Sequence, residues 1–562
     1  MMGWMKGVWA LTAIAMSVTA GAVDAGMREI GPVRWFSTQE LTQETPYAVS
    51  VEGEELPLAP AGHIEPAYYV QFQVTEPFTL NIQADLPEGC RLNLQPARYR
   101  EDLWEEEETF ALAIDGPGPR VLMMETEDGR RHTPLIILAE PERTWEPPTA
   151  EGVFLDVSDL ADAAEPQTGP LQEALDACAE DGGVVFFGPG VYRTGGLRVG
   201  SNTEVFLAPG ALIQADAETE DHPRELILFD EAENSGLAGP GVIDGNGHRI
   251  RGAEGEVSVT LLRMKNSRNV YLRDVMLRNA AGWTGHIIGC EDVMVEDVRV
   301  IGDWGVPNTD GINPDNARNV RMTGMFIYAG DDPVAVKATN RYGIDAPCED
   351  VEIRQSMVMT LKTALKLGTE SRQDIRNVLF EDIDVIHSSR GIALWMRDGY
   401  RFSDVVFRDI RMDLLEFDGE NMSGEPFRFC IQERDGVGAI ENVLAENIDV
   451  SAPYRAVFTG RPDGGFQDII LRGVTWRLTP CHIKTDPRPL TDAWVVDPAN
   501  ELPLEGNPLV VIHRVDGLAF EDVTIDWRDA GEDTWDRFVE QRESANIRLD
   551  GVTHEGYPFG EN

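Results

Sequence analysis

Positive charge is what this 562-residue chain is short of: 48 lysines and arginines stand against 97 aspartates and glutamates, a net charge of −49. A field of that sign excludes the broad basic surface that nucleic acids and anionic membranes require. It also repels a polyanionic glycan unless cations are gathered locally at the binding site. Cysteine is scarce as well. Cys90, Cys178, Cys290, Cys348, Cys430 and Cys481 are scattered, with no CxxC and no metal-ligand spacing, which excludes a zinc module or a dithiol redox motif. They read mostly as buried thiols. Long apolar runs are missing beyond the first residues, so no later stretch spans a bilayer. Helical periodicity is nearly missing too: Gly169 to Gly183, with Leu171, Ala174, Leu175 and Cys178 on one face, is the only clear helix in the middle of the chain.

What is there begins with a leader. Lys6, an apolar stretch from Val8 to Val18 and the small residues Ala20-Gly21-Ala22 read as a secretory signal peptide over residues 1–25, which predicts a secreted or periplasmic protein. From residue 27 to 145, seven short alternating runs, among them YYVQFQV, FTLNIQA and TPLIILA, predict a small β-sandwich. The Pro-Pro pair in ERTWEPPT (Glu142 to Thr149) marks a linker.

The rest, residues 150–562, repeats. Asn202, Asn234, Asn269, Asp292, Asn319, Asp350, Asn377, Asp404, Asn442, Asp468, Gly517 and Asn546 each stand at the start of a β-like run. Internal repetition of this kind defines a solenoid, and β-branched alternation makes its coils strands. Asn and Asp at the repeated position suit a tight turn that needs a left-handed residue. The expected fold is all-β: a right-handed parallel β-helix preceded by a sandwich. The single helix would close the open end of the first coil.

Asp310 and the pair Asp331-Asp332 lie about twenty residues apart, nearly one repeat. Coil stacking would bring them to neighbouring rungs roughly 4.8 Å apart. Acids gathered in a cleft point to glycoside hydrolysis, in which a proton donor and a base flank the bond at roughly 6.5–9.5 Å when a water must fit between them. Adjacent residues of a straight strand face opposite ways, so Asp331 and Asp332 require a bend, which Gly330 and Pro333 allow.

GPGVYRTGGLRVGSNTEVFLAPGALI, GPGVIDGNG, WTGHIIGCEDVMVEDVRV, NTDGI (Asn308 to Ile312) and GDD (Gly330 to Asp332) follow one another in order. On these segments, residues 150 to 530 resemble glycoside hydrolase family 28, the polygalacturonase-like enzymes. The resemblance implies an inverting, metal-free and cofactor-free reaction, with Asp331 as general acid and Asp310 and Asp332 acting on the attacking water. It also implies a pectin-related or other plant or algal polysaccharide, or a derived oligosaccharide, as the partner. The chain departs from the family where a Gly-His-Gly is expected, since Thr363 replaces the histidine. It departs again at the uronate-gripping Arg-x-Lys, where Ala393 and Trp395 stand. Plain polygalacturonase activity is therefore not the expectation. Lys337, Lys366, Glu370 and Arg397 fall near the phase of the acids, as groove-lining positions for hydroxyls or an anionic group. Trp395 suits a sugar face. Trp304 and Asn308 stand beside the acids for stacking and hydrogen bonding, and His286 lies one coil earlier, with a structural role as its alternative. Two other classes stay open: a polysaccharide lyase on the same fold, and a non-catalytic glycan-binding β-helix. Oligomeric state is not legible.

Overall fold

The computed structural model describes residues 27–36, 45–106, 109–127, 129–145, 152–415, 424–480, 504, 506–530 and 534–557. The proposed signal peptide, half of the Pro-Pro linker and Cys481 lie outside the described residues, as do most of the stretches Asp413 to Pro426 and Pro480 to Pro508, where the long repeat intervals imply inserted loops.

Strands between Met27 and Pro141 form a seven-stranded and a five-stranded sheet. Alternation decides how they face. Leu80 and Ile82 from one strand, and Leu112 and Ile114 from its partner, point inward against Val70, Phe72, Leu122, Leu135 and Ile137 of the other sheet. This is a sandwich core.

Next comes the helix Thr168–Asp181. Its buried residues are Leu171, Ala174, Leu175 and Cys178, which share one core cluster with Val185, Leu197 and Val205 of the first coils. From Val153 onward a single 31-stranded sheet winds to Glu555 with parallel pairing throughout, the right-handed β-helix expected. Its interior is built of like stacked on like. Val270, Val293, Val320, Val351, Val378, Val405 and Val443 are register partners on successive coils. Such columns fill the coil axis with branched side chains at strand spacing and leave no room for polar atoms.

The repeated Asx residues do stand in left-handed conformation, from Asn202 (φ 57°) to Asn546 (φ 53°). Their side chains bond along the axis: Asn269 Nδ2 donates to Asn234 Oδ1 at 2.8 Å, and Asn319 Nδ2 to Asp292 Oδ1 at 2.6 Å. A second left-handed turn follows five residues later in most coils, at Asp274, Asp297, Gly324, Gln355, Asp382, Asp409 and Asn447. Sequence reading passed over this second turn because Gln355 and Gly324 break the Asx pattern.

Each central coil has three strands. In one coil they are Arg318–Thr323, Phe326–Ala329 and Val334–Ala338. The sandwich packs on the outer face of the middle strands: Tyr69, Val121, Met123, Ile136 and Leu138 bury Met276, Ile301, Phe326, Tyr328, Met357 and Ile386. Ion pairs frame that contact. Arg299 grips Glu140 with two bonds, 2.7 and 2.6 Å, and Arg131 reaches Asp413 at 2.8 Å. The third strands form the sheet that carries the site.

Candidate active site

Asp331 and Asp332 lie in the bend between Phe326–Ala329 and Val334–Ala338, the corner where the sandwich-covered sheet meets the third sheet. Crowding dictates the glycines there. A Cβ on Gly330 would stand 2.5 Å from Thr309 Oγ1, and one on Gly311 would stand 2.2 Å from the Pro333 carbonyl oxygen. Coils can stack this tightly only with hydrogen at both places. Gly311 N–H donates to the Asp332 carbonyl at 3.0 Å and Ile312 N–H to that of Pro333 at 2.9 Å. Asp310 is therefore one rung from the aspartate pair.

The three carboxyl groups share one electrostatic field. Burial, then Asp331, push Asp310 well above the usual carboxylate range, and Asn313 Nδ2 donates to its Oδ2 at 2.8 Å. Asp331, the most accessible of the three, is also raised, first by burial and then by Asp332. Asp332 goes the other way. Burial alone would raise it, but Lys366 and Lys337 outweigh that and hold it low. Lys366 Nζ donates to Asp332 Oδ2 at 2.6 Å, and Thr363 N–H to Oδ1 at 3.2 Å. The bend thus holds one carboxylate ionised beside two inclined to stay protonated, the asymmetry that like charges in close quarters require.

The other expected positions divide. Lys337 and Lys366 stand among the acids. Lys337 Nζ donates to Glu370 Oε2 at 3.2 Å, and Glu370 is driven far below its usual range despite burial, chiefly by Lys337 and Lys366. Arg397 is half-buried two residues beyond Trp395 on the same strand. Asn308 is exposed at the rim, where its Oδ1 accepts from Arg251 at 3.0 Å.

Three expectations need correction. His286 is fully buried: its Nε2 meets Asp315 at 2.9 Å and its Nδ1 accepts from Arg263 at 3.1 Å, so it braces the sheet from within and touches no groove. Burial lowers its pKa and keeps it neutral. Trp304 stacks on Tyr328, with centroids 4.7 Å apart and planes 13° apart, and meets His387 edge-on at the contact with the sandwich. Trp395 is only 4% exposed; its Nε1 donates to Gln432, and Arg428, Arg390 and Lys366 lie 4.9, 5.6 and 5.8 Å from its ring centre. The ring gathers cations and presents no open face.

Sequence reading missed Arg390, Glu425 and Arg428. Glu425 binds both arginines, and Arg428 is the register partner of Ala393. A small residue at 393 lets Lys366 and Arg428 from flanking coils converge over Trp395. It also missed Asp303. This carboxylate accepts the backbone N–H groups of His63, Ile64 and Glu65 at 2.7, 2.8 and 3.2 Å, and so seats a sandwich loop beside the acid bend.

Similarity to known proteins supports a glycosidase built on this β-helix. Residues 194–449, a little under half of the chain, match the model of Glycosyl hydrolases family 28. A probable polygalacturonase of Vitis vinifera is 24% identical over 405 residues, 63% of this chain and 80% of that protein. An endo-polygalacturonase of Pectobacterium parmentieri is 24% identical over 291 residues, 44% and 71% of the respective chains. Among solved structures, the family 28 exopolygalacturonase of Yersinia enterocolitica superposes with a TM-score of 0.54 at 15% identity, covering 90% of this chain and all of that one. Dex49A from Penicillium minioluteum does so with a TM-score of 0.53 at 11% identity, covering 92% and all. At these identities the structures speak for the fold.

Proposed function

We propose that this protein is an exported, inverting glycoside hydrolase that cleaves a pectin-related or other plant or algal glycan with the aspartates of the bend. The observation that carries the reading is three carboxyl groups crowded into one bend, with Lys366 Nζ hydrogen-bonded to Asp332 at 2.6 Å. Asp331, raised by burial and Asp332, is suited to hold the proton that a leaving glycosidic oxygen needs. Asp332, ionised under Lys366 and Lys337, is suited to take a proton from water. Asp310 is inclined to stay protonated, and its contribution is to orient that water beside Asp332. Lys337, Lys366, Glu370, Arg397 and Asn308 bind substrate around them. Relatives named as polygalacturonases and as an endo-xylogalacturonan hydrolase support a pectic substrate, and the changed residues at Thr363, Ala393 and Trp395 support one recognised differently from plain polygalacturonate. Export rests on the leader-like residues 1–25.

The test is Asp331→Asn, which keeps shape and removes the proton. Reducing-end release from pectic, rhamnogalacturonan and algal glycans should fall by at least about 100-fold, the scale of a lost general acid. The thermal midpoint should hold, and the product anomer read by NMR in the wild type should be inverted. Near-normal turnover in the variant ends this mechanism.

A further inference from the structure

Trp283 stands on the coil immediately before Asp310, where Thr284 N–H donates to the Asp310 carbonyl at 3.0 Å. Its half-buried ring is held from beneath by His286, edge-on at 4.9 Å and 90°, and His286 is itself locked between Asp315 and Arg263. Two cations lie against this ring: Lys337 Nζ at 5.2 Å from the centre and the Arg341 guanidinium at 4.9 Å. They differ in how they are neutralised. Lys337 is buried and paired with Glu370. Arg341 is exposed and, among the described residues, has no carboxylate within ion-pair distance. Several other cations near the groove are paired: Lys366 with Asp332, Arg390 and Arg428 with Glu425, Arg434 with Asp398; Lys362, which acts on Asp331, has no ion pair among the described residues either. In a chain with twice as many acids as bases, an unneutralised arginine beside the acid bend is against the trend.

The backbone holds it there. Arg341 opens a short turn, Arg341–Gly343, in which Tyr342 adopts φ 58°, a region bulky side chains rarely enter. Tyr342 is 46% exposed, and its ring covers Arg263 at 5.1 Å and Lys265 at 5.7 Å on earlier coils. The turn therefore folds back along the rim toward the N-terminal coils and carries Arg341 over Trp283.

We propose that Arg341, positioned by Trp283, binds an anionic substituent, a carboxylate or a sulfate ester, on the sugar lying to the N-terminal side of the acid bend. An arginine fork suits such oxygens, and cation–π contact with an indole fixes its approach without neutralising it. This rests on the glycoside hydrolase reading for the location of the substrate. It also answers the charge problem: a strongly acidic protein admits an acidic glycan by keeping a cation in reserve at the groove.

The experiment uses the full chain carrying Asp331→Asn, which separates binding from turnover, and isothermal titration at low salt. The probes are an oligogalacturonide, its methyl ester and a sulfated galactan oligosaccharide. Binding of either acidic probe is expected, and which one binds names the source of the anion. Arg341→Ala added to this background should weaken that binding about tenfold or more, the worth of a hydrogen bond to a charged group. The methyl ester should be indifferent to the change. Trp283→Ala should act like Arg341→Ala, whereas Trp283→Phe should keep most of the affinity. Two outcomes overturn the proposal: neither acidic probe binds, or the acidic probe binds equally well without Arg341. If the wild type hydrolyses nothing while acidic binding still depends on Arg341, the hydrolase reading fails and this one stands.

Discussion

Replacing Lys366 with methionine probes the electrostatic arrangement at its tightest point. Lys366 and Asp332 form a pair at 2.6 Å with side chains 11% and 5% exposed. Removing one partner of a buried pair costs about 3–5 kcal/mol, because the other charge is left in a poor solvent. The sign with pH follows from Asp332 being held below its usual range. A depressed carboxylate contributes stability that is present above its unfolded pKa, about 3.9, and is lost as pH falls through the folded value. Without Lys366, burial is opposed mainly by Lys337, and the folded pKa of Asp332 climbs. Its contribution shrinks or reverses at neutral pH and matters little once both forms are protonated. Urea unfolding at pH 7 should show nearly the whole deficit, and at pH 3.5 it should be smaller, with the remainder lost only as pH falls through the depressed folded value. The acid limb of the pH–rate profile should move upward in step, since the ionised member of the bend now protonates earlier. An equal deficit at both pH values would refute the reasoning and assign the loss to packing of the lysine stem.

Other consequences follow from the same contacts. Asp310 and Asp331 are raised, so their contribution runs the opposite way: present at low pH, and lost as pH rises through their folded values. The alkaline limb of activity should accordingly lie above the usual carboxylate range in a pH–kcat/KM series. Asp303→Ala removes the acceptor for three sandwich N–H groups and that of Gly305, and should cost about 2–3 kcal/mol in urea unfolding while raising KM more than it lowers kcat. Glu140→Ala strands buried Arg299 at the domain contact. It should lower stability by about 3–5 kcal/mol and uncouple the sandwich from the β-helix as a separate, earlier melting transition in calorimetry.

Much of the fold was legible because its rules are local. A strand shows which way it faces by alternation, and the turn of each coil needs a residue tolerant of positive φ, so Asn and Asp mark the rungs from Asn202 onward, with Gly517 at one of them. The helix Thr168–Asp181 displayed its buried face in the same manner. The acids were legible for a different reason: one coil of sequence separation becomes one strand spacing in space. Misreadings arose where a side chain's partner is far away in sequence. Trp304 looks available beside the acids until it is seen to stack on Tyr328 and pack against the core shared with the sandwich. His286 has the right rung but the wrong environment, since only packing reveals Asp315 and Arg263 on either side. Arg428 was hidden by an insertion of unreadable length between the coils of Ala393 and Arg428, which erased the register.

By itself the amino-acid order determined the class of the molecule: a strand-built solenoid behind a sandwich, its coils counted by Asx turns and its acids spaced to meet. Three-dimensional packing alone decided which member of the acid trio is charged, because that depends on lysines one coil away and on the water excluded around them. It likewise decided that the sandwich overhangs the bend and that Arg341 is left without a counter-charge among the described residues. Periodicity is a property of neighbours along the chain, whereas the free energy of a charge is set by whatever the fold brings within a few ångströms of it.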